Sequence, residues 1–306
     1  MKNKLTLILI LIMALTVLGG YSKVEAGTIS FGEPDWTGIR AKNAVANQIL
    51  EKIGYETETT IAADEALHHS LATDNLDVHL GSWMPSVEAI LEEIENDIDI
   101  VATNMDEGIY TLGVPSYVWE AGVRSFADLA DHAEKFDKTL YLGPVGWPFS
   151  EAMAEAIESD TYGLGDWEIK NSSTPAMLAQ MERAVQNEEW IVTLAWRPHW
   201  MNYIMDIKYL EDPKEIWADP ESWVNTLART GLENDHPQVY KFLEQFKVDV
   251  EDNDMWIYEI GQEERDAEKV ASEWIANNLS TVAEWLRGVK AANGEPAIEV
   301  LKNNLN

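Results

Sequence analysis

Four tryptophans follow four apolar runs that read as short strands. Trp36 comes after Thr28–Phe31, Trp83 after Leu76–Leu80, Trp147 after Thr139–Leu142 and Trp196 after Trp190–Leu194. The last opens the densest stretch of the chain, "TLAWRPHWMN" at 193–202, which adds an arginine, a proline, a histidine and a second tryptophan. Indole faces are electron-rich, so several converging on one point make a cage for a cation that has no hydrogen to donate, above all a methylated ammonium. The same faces also stack on sugar rings, so a carbohydrate-active enzyme is the competing reading; it requires two carboxylates across a cleft. Each tryptophan taken singly also has a plain packing role, which is the role assigned to Trp119, Trp217, Trp274 and Trp285. In all, 13 tryptophans stand in 306 residues.

What has to position these rings is an alternation of strands and helices. Ile39, Ala46, Ile49, Leu50 and Ile53 keep helical spacing, and Gly54 stops that helix. Glu58–Ile61 and Ile98–Ala102 read as further strands. Ser86 is expected to cap an acidic helix through Ile94, Pro148 to open one through Ile157, and Thr174-Pro175 to start one reaching about Val185. From Asp219 onward the chain reads as mainly helical. Alternation of this kind implies parallel sheets covered by helices on both faces, and the length favours two such lobes. In open α/β sheets, ligands bind beyond the carboxyl ends of the strands, where the four tryptophans stand.

The first 26 residues read as an export leader. Lys2 and Lys4 precede an apolar run from Leu5 to Leu18, too short to span a bilayer comfortably, and Val24-Glu25-Ala26 resembles a cleavage site. A mature chain from Gly27 and an extracytoplasmic location are expected. The chain carries a formal charge of −32, and losing the leader removes three lysines and one glutamate, making it more acidic still. Such an excess of carboxylates argues against nucleic acid and anionic membrane surfaces as partners. With no cysteine, the chain has neither disulfides nor a thiol to acylate.

Several segments carry a resemblance: "FGEPDWTGIRAKNAVANQILEKIGY", "DVHLGSWMPS", "IVTLAWRPHWMN" and "IKYLEDPKEIW". They resemble the substrate-binding proteins of ABC importers for glycine betaine and choline, over most of the mature chain. The resemblance implies a two-lobed α/β fold of the type II periplasmic-binding-protein class, with the ligand in a cleft between lobes. The lobes expected are 27–113, 114–205, and a return of 206–306 to the first. It implies an aromatic box of Trp36, Trp83, Tyr110 and Trp196, with Trp147 as a fifth wall or lid. Choline binders of this family typically follow the "WT" of the first motif with aspartate, where this chain has Gly38. The far end of the ligand therefore falls to His199, Arg197, backbone N–H groups or Glu33. Glycine betaine is the first expectation; choline, proline betaine, trimethylamine N-oxide and sulfonium analogues are the others. A membrane permease is the expected protein partner, with the chain itself a monomer.

Nothing else suggests catalysis or a cofactor. There is no Gly-rich phosphate loop and no G-x-S-x-G elbow. His68, His69 and His79 read as a solvated helix face, with no carboxylate at ligand spacing and no metal expected.

Overall fold

A computed structural model describes residues 27–145, 147–217 and 221–305. The expected leader, residues 1–26, lies outside the described residues. The strands are β1 (Ile29–Glu33), β2 (Thr57–Ile61), β3 (Val78–Met84), β4 (Ile98–Pro115), β5 (Thr139–Leu142), β6 (Glu168–Asn171), β7 (Thr193–Arg197), β8 (Ile207–Tyr209) and β9 (Glu221–Arg229). The helices are α1 (Thr37–Lys52), α2 (Asp64–Ala72), α3 (Glu88–Ile94), α4 (Ser116–Glu120), α5 (Pro148–Glu158), α6 (Thr174–Gln186) and α7 (Trp200–Ile204), then α8 (Leu232–Asp235), α9 (Pro237–Gln245), α10 (Val250–Gly261), α11 (Ala267–Asn277), α12 (Leu279–Trp285) and α13 (Ala297–Asn303).

All the strands join one sheet, ordered β2-β1-β3-β9-β4-β7-β5-β6, with β8 on β4. Its flanks are parallel, as the alternation requires: β1 pairs with β2 and β3, and β5 with β6 and β7. Its centre is not. β9 runs antiparallel to both β3 and β4, and β4 antiparallel to β7. The expectation of wholly parallel sheets is corrected here; the stretch after Asp219 is mainly helical as expected, except that β9 opens it. β9 escapes a sequence reading because Val224–Ala228 are buried without interruption. A strand covered on both faces loses the alternation that marks a half-exposed one.

Two hydrophobic cores flank this centre. One gathers β1, α1 and the last helices around Phe31, Ile49, Phe242 and Trp256. The other gathers β4, β5, α5, α6 and β7 around Leu112, Leu140, Phe149 and Met181. Trp274 and Trp285 stack at 5.4 Å in the first core, as packing residues should.

Two elements tie the cores together. β4 runs far beyond the expected Ile98–Ala102: its first part pairs with β9 and its last part with β7 and β8. Three register shifts against β9 bend it on the way. At this crossing Gly108 lies so close to β9 that a Cβ would stand 2.5 Å from the Ser222 carbonyl oxygen. The other tie is α10, capped by the Asp249 carboxylate, which accepts from Glu251 N at 3.0 Å. Trp256 of α10 packs in the first core and its neighbour Ile257 in the second.

Helix starts differ from expectation by a residue or two. Val87, not Ser86, precedes α3, and Ser173 precedes α6; neither caps through its side chain. Gly54 ends α1 at φ +92°, where glycine is at ease.

Candidate functional site

Register brings the aromatic residues of the two halves to one edge. Trp83, near the end of β3, lies opposite Val224 of β9. Ile109, next to Tyr110 on β4, lies opposite Glu221, where β9 begins. β3 and β4 thus both run toward the start of β9, and strand spacing puts the Trp83 and Tyr110 backbones roughly 15 Å apart across the sheet. Trp83 and Trp196 are the penultimate residues of their strands rather than loop residues beyond them. Both are followed by a cis peptide, Met84–Pro85 and Arg197–Pro198.

On the side of the second core three expected walls meet. Tyr110 and Trp196 are partners across β4 and β7, with ring centroids 6.2 Å apart. Trp147 stands 6.3 Å from Trp196 at an interplanar angle of 70°. Trp147 immediately precedes α5, and its ring lies on Gly143 so closely that a Cβ there would sit 2.6 Å from Trp147 Cε3. Any larger residue at 143 would push this wall aside.

Trp36 and Trp83 belong to the other side. Among the described residues neither ring pairs with another aromatic ring. Trp36 directly precedes α1 and is 40% exposed, so its face is open to a ligand. Trp83 packs partly against Met105, Val224 and Val250. Protein cations stand over Trp119, Trp190, Tyr141 and Tyr162. Among the described residues none stands over the five expected walls, which leaves those faces free for a cation from outside.

The polar groups at the site are mostly committed or uncharged. His199 caps α7, its Nδ1 accepting from Met201 N at 3.4 Å, and its ring lies 4.8 Å from that of Trp196. Burial pushes its pKa down to about 3, so the ring is neutral and its proton sits on Nε2. Arg197 is not free to grip an anion: Nε donates to Asp254 Oδ2 at 2.6 Å and an η nitrogen to Glu251 Oε1 at 2.8 Å. Asp254 also accepts from His199 N at 2.7 Å, and burial outweighs Arg197 in leaving its carboxyl raised to about 6. Glu33 closes β1 and accepts from Asn43 Nδ2 at 3.3 Å. Burial raises the Tyr110 hydroxyl, which therefore stays protonated at neutral pH.

Two participants were not expected from sequence. Trp217, assigned to packing, stands 5.8 Å from Tyr110 and 5.3 Å from Phe149, and its buried Nε1 has no partner. It extends the aromatic cluster, although it follows no strand directly. Asp254 had no signal, since it is one acid among several on α10. Trp200 is buried behind His199, 5.1 Å away. The three histidines also need correction: His69 is exposed, but His68 and His79 are fully buried against Asp64, a carboxylate one helical turn before His68.

Comparison with known proteins agrees with this geometry. The family model described as "Substrate binding domain of ABC-type glycine betaine transport system" matches residues 27–277. The glycine betaine/carnitine transport binding protein GbuC of Listeria monocytogenes is 36% identical over 165 residues, 54% of each chain. The chain thus spans about half the length of that curated relative. An ABC-transporter choline-binding protein solved with choline superposes at a TM-score of 0.71 with 30% identity, covering 92% of this chain and 99% of that one. Lactococcal OpuAC, solved closed on glycine betaine, gives 0.68 with 26% identity, covering 84% and 98%. These relatives are two-lobed transport proteins, and nothing in them supports the carbohydrate-active alternative. The chain belongs to the family of substrate-binding domains of ABC-type glycine betaine transport systems.

Proposed function

We propose that this chain captures glycine betaine outside the cytoplasm and delivers it to a membrane permease. The observation that carries the reading is the cluster of Tyr110, Trp147 and Trp196 where β4 pairs with the end of β7, with no cation among the described residues over any of its rings. Trp36 and Trp83 supply the opposing walls when the two halves, each built on one of the two cores, close on the ligand. Closure is a population shift toward the form that the permease recognises. A desolvated aromatic contact contributes about 0.5–2 kcal/mol to holding a quaternary ammonium. Methylation lowers the cost of removing the cation from water, so the cage favours trimethylammonium over a bare amine.

The other end of the ligand meets donors without a free positive charge: His199 Nε2, Trp217 Nε1 and backbone N–H groups. Glu33 offers an acceptor for a hydroxyl, which is the observation that keeps choline as the second reading. Capture needs one copy of the chain and no cofactor.

Calorimetric titration of the purified protein with glycine betaine, choline and trimethylamine N-oxide, side by side, tests this. Tight binding of glycine betaine and weaker binding of the others is the expected outcome. Preference for choline would move the reading to Glu33, and heat from none of the three would sink the cage.

A further inference from the structure

We propose that Asp64, His68 and His79 form a binding site for one divalent transition-metal ion of the Zn²⁺ class, apart from the aromatic cage. Asp64 and His68 stand four residues apart on α2, so both project from one face of its first turns. His79 comes to them from β3. One ligand atom from each of the three lies within 4.8 Å of the other two. His79 Nε2 is 3.1 Å from Asp64 Oδ1, and His68 Nδ1 is 3.8 Å from Asp64 Oδ2. With metal–ligand bonds of about 2.0–2.2 Å, a tetrahedral site sets its ligand atoms roughly 3.3 Å apart. One edge already has that length, and the Asp64–His68 edge needs to close by about half an ångström.

Donor chemistry agrees with the spacing. Two imidazoles and one carboxylate suit zinc, and three protein ligands leave a fourth position for water. Both histidines are fully buried, while the Asp64 side chain is 23% exposed and opens the site to solvent on one side. His68 Nε2 lies 3.3 Å from Ser82 Oγ, the kind of outer partner that fixes the ring of a metal-bound histidine. The Asp64 carboxylate has no lysine or arginine within ion-pair distance among the described residues, only the two imidazoles. Ion binding would displace the present contacts, in which His68 Nδ1 bonds Asp64 O at 2.8 Å and His79 Nε2 bonds the carboxylate.

The test is equilibrium dialysis of EDTA-treated protein against Zn²⁺, with excess Mg²⁺ to occupy surface carboxylates, followed by Co²⁺ substitution read in the visible spectrum. One equivalent of Zn²⁺ per chain, an intense Co²⁺ band and a melting temperature that rises until one equivalent is bound are expected. Asp64→Asn, at the partly exposed helix start, should abolish all three while keeping the wild-type circular dichroism. His79→Gln should do the same, and loss of fold in that variant alone would leave Asp64→Asn decisive. Absence of a Co²⁺ band, or stoichiometry unchanged in Asp64→Asn, would overturn the site.

Discussion

Trp196 sits at the heart of the candidate site, with Tyr110, Trp147 and His199 all against it. Replacing it with alanine should weaken ligand binding by about 1–3 kcal/mol, as expected of an aromatic hot spot. The indole is only partly buried at a strand end, so circular dichroism should remain that of the parent. Titration of Trp196→Ala with unchanged affinity would remove this residue from the cage. The four candidate tryptophans drew notice in the sequence because each follows an apolar run. Trp217 did not, because it follows no strand and reaches Tyr110 only through the fold. The histidine pair misled for the opposite reason. Adjacent polar residues look solvated, yet one helix position separates the buried face from the exposed one.

Among the elements, α10 and α1 carry testable charges. Asp254 on α10 holds Arg197 and the His199 backbone together, and so fixes the turn that follows Trp196. Asp254→Asn leaves Arg197 with the exposed Glu251 as its remaining ion partner at this site. Breaking the pair should cost about 3 kcal/mol in urea unfolding, the low end for a buried pair because Arg197 keeps some access to water. An unfolding midpoint equal to that of the parent would show the tie to be idle. Lys42 on α1 is buried, and its Nζ donates only to Asn104 Oδ1, at 2.7 Å. Burial lowers its pKa to about 7. Between that value and its unfolded pKa near 10.5 the unfolded chain holds the extra proton, so stability should rise with pH across this window. The slope between pH 7 and about 9.5 should flatten in Lys42→Met; equal slopes would contradict it. Helix α1 itself was plain from its apolar spacing. β9 was hidden because double burial erases alternation, and with it the antiparallel centre of the sheet.

At the scale of the molecule, charge dominates. With 54 acidic against 22 basic residues, the folded chain repels itself. Screening shortens from about 30 Å at 0.01 M salt to about 3 Å at 1 M, so added salt should raise the melting temperature. A melting temperature that stays flat or falls in NaCl would mean that the acidic surface is already balanced locally. The order of strands has a separate consequence, one of timing. Thr226 and its neighbours in β9 are inserted between β3 and β4, although more than a hundred residues separate them from either strand. A chain emerging from its amino end cannot complete the middle of its sheet until that late segment arrives. Until then β3 and β4 lack the strand that joins them. The middle of the sheet is therefore the last part of the sheet that synthesis makes possible, although it lies at the centre of the molecule.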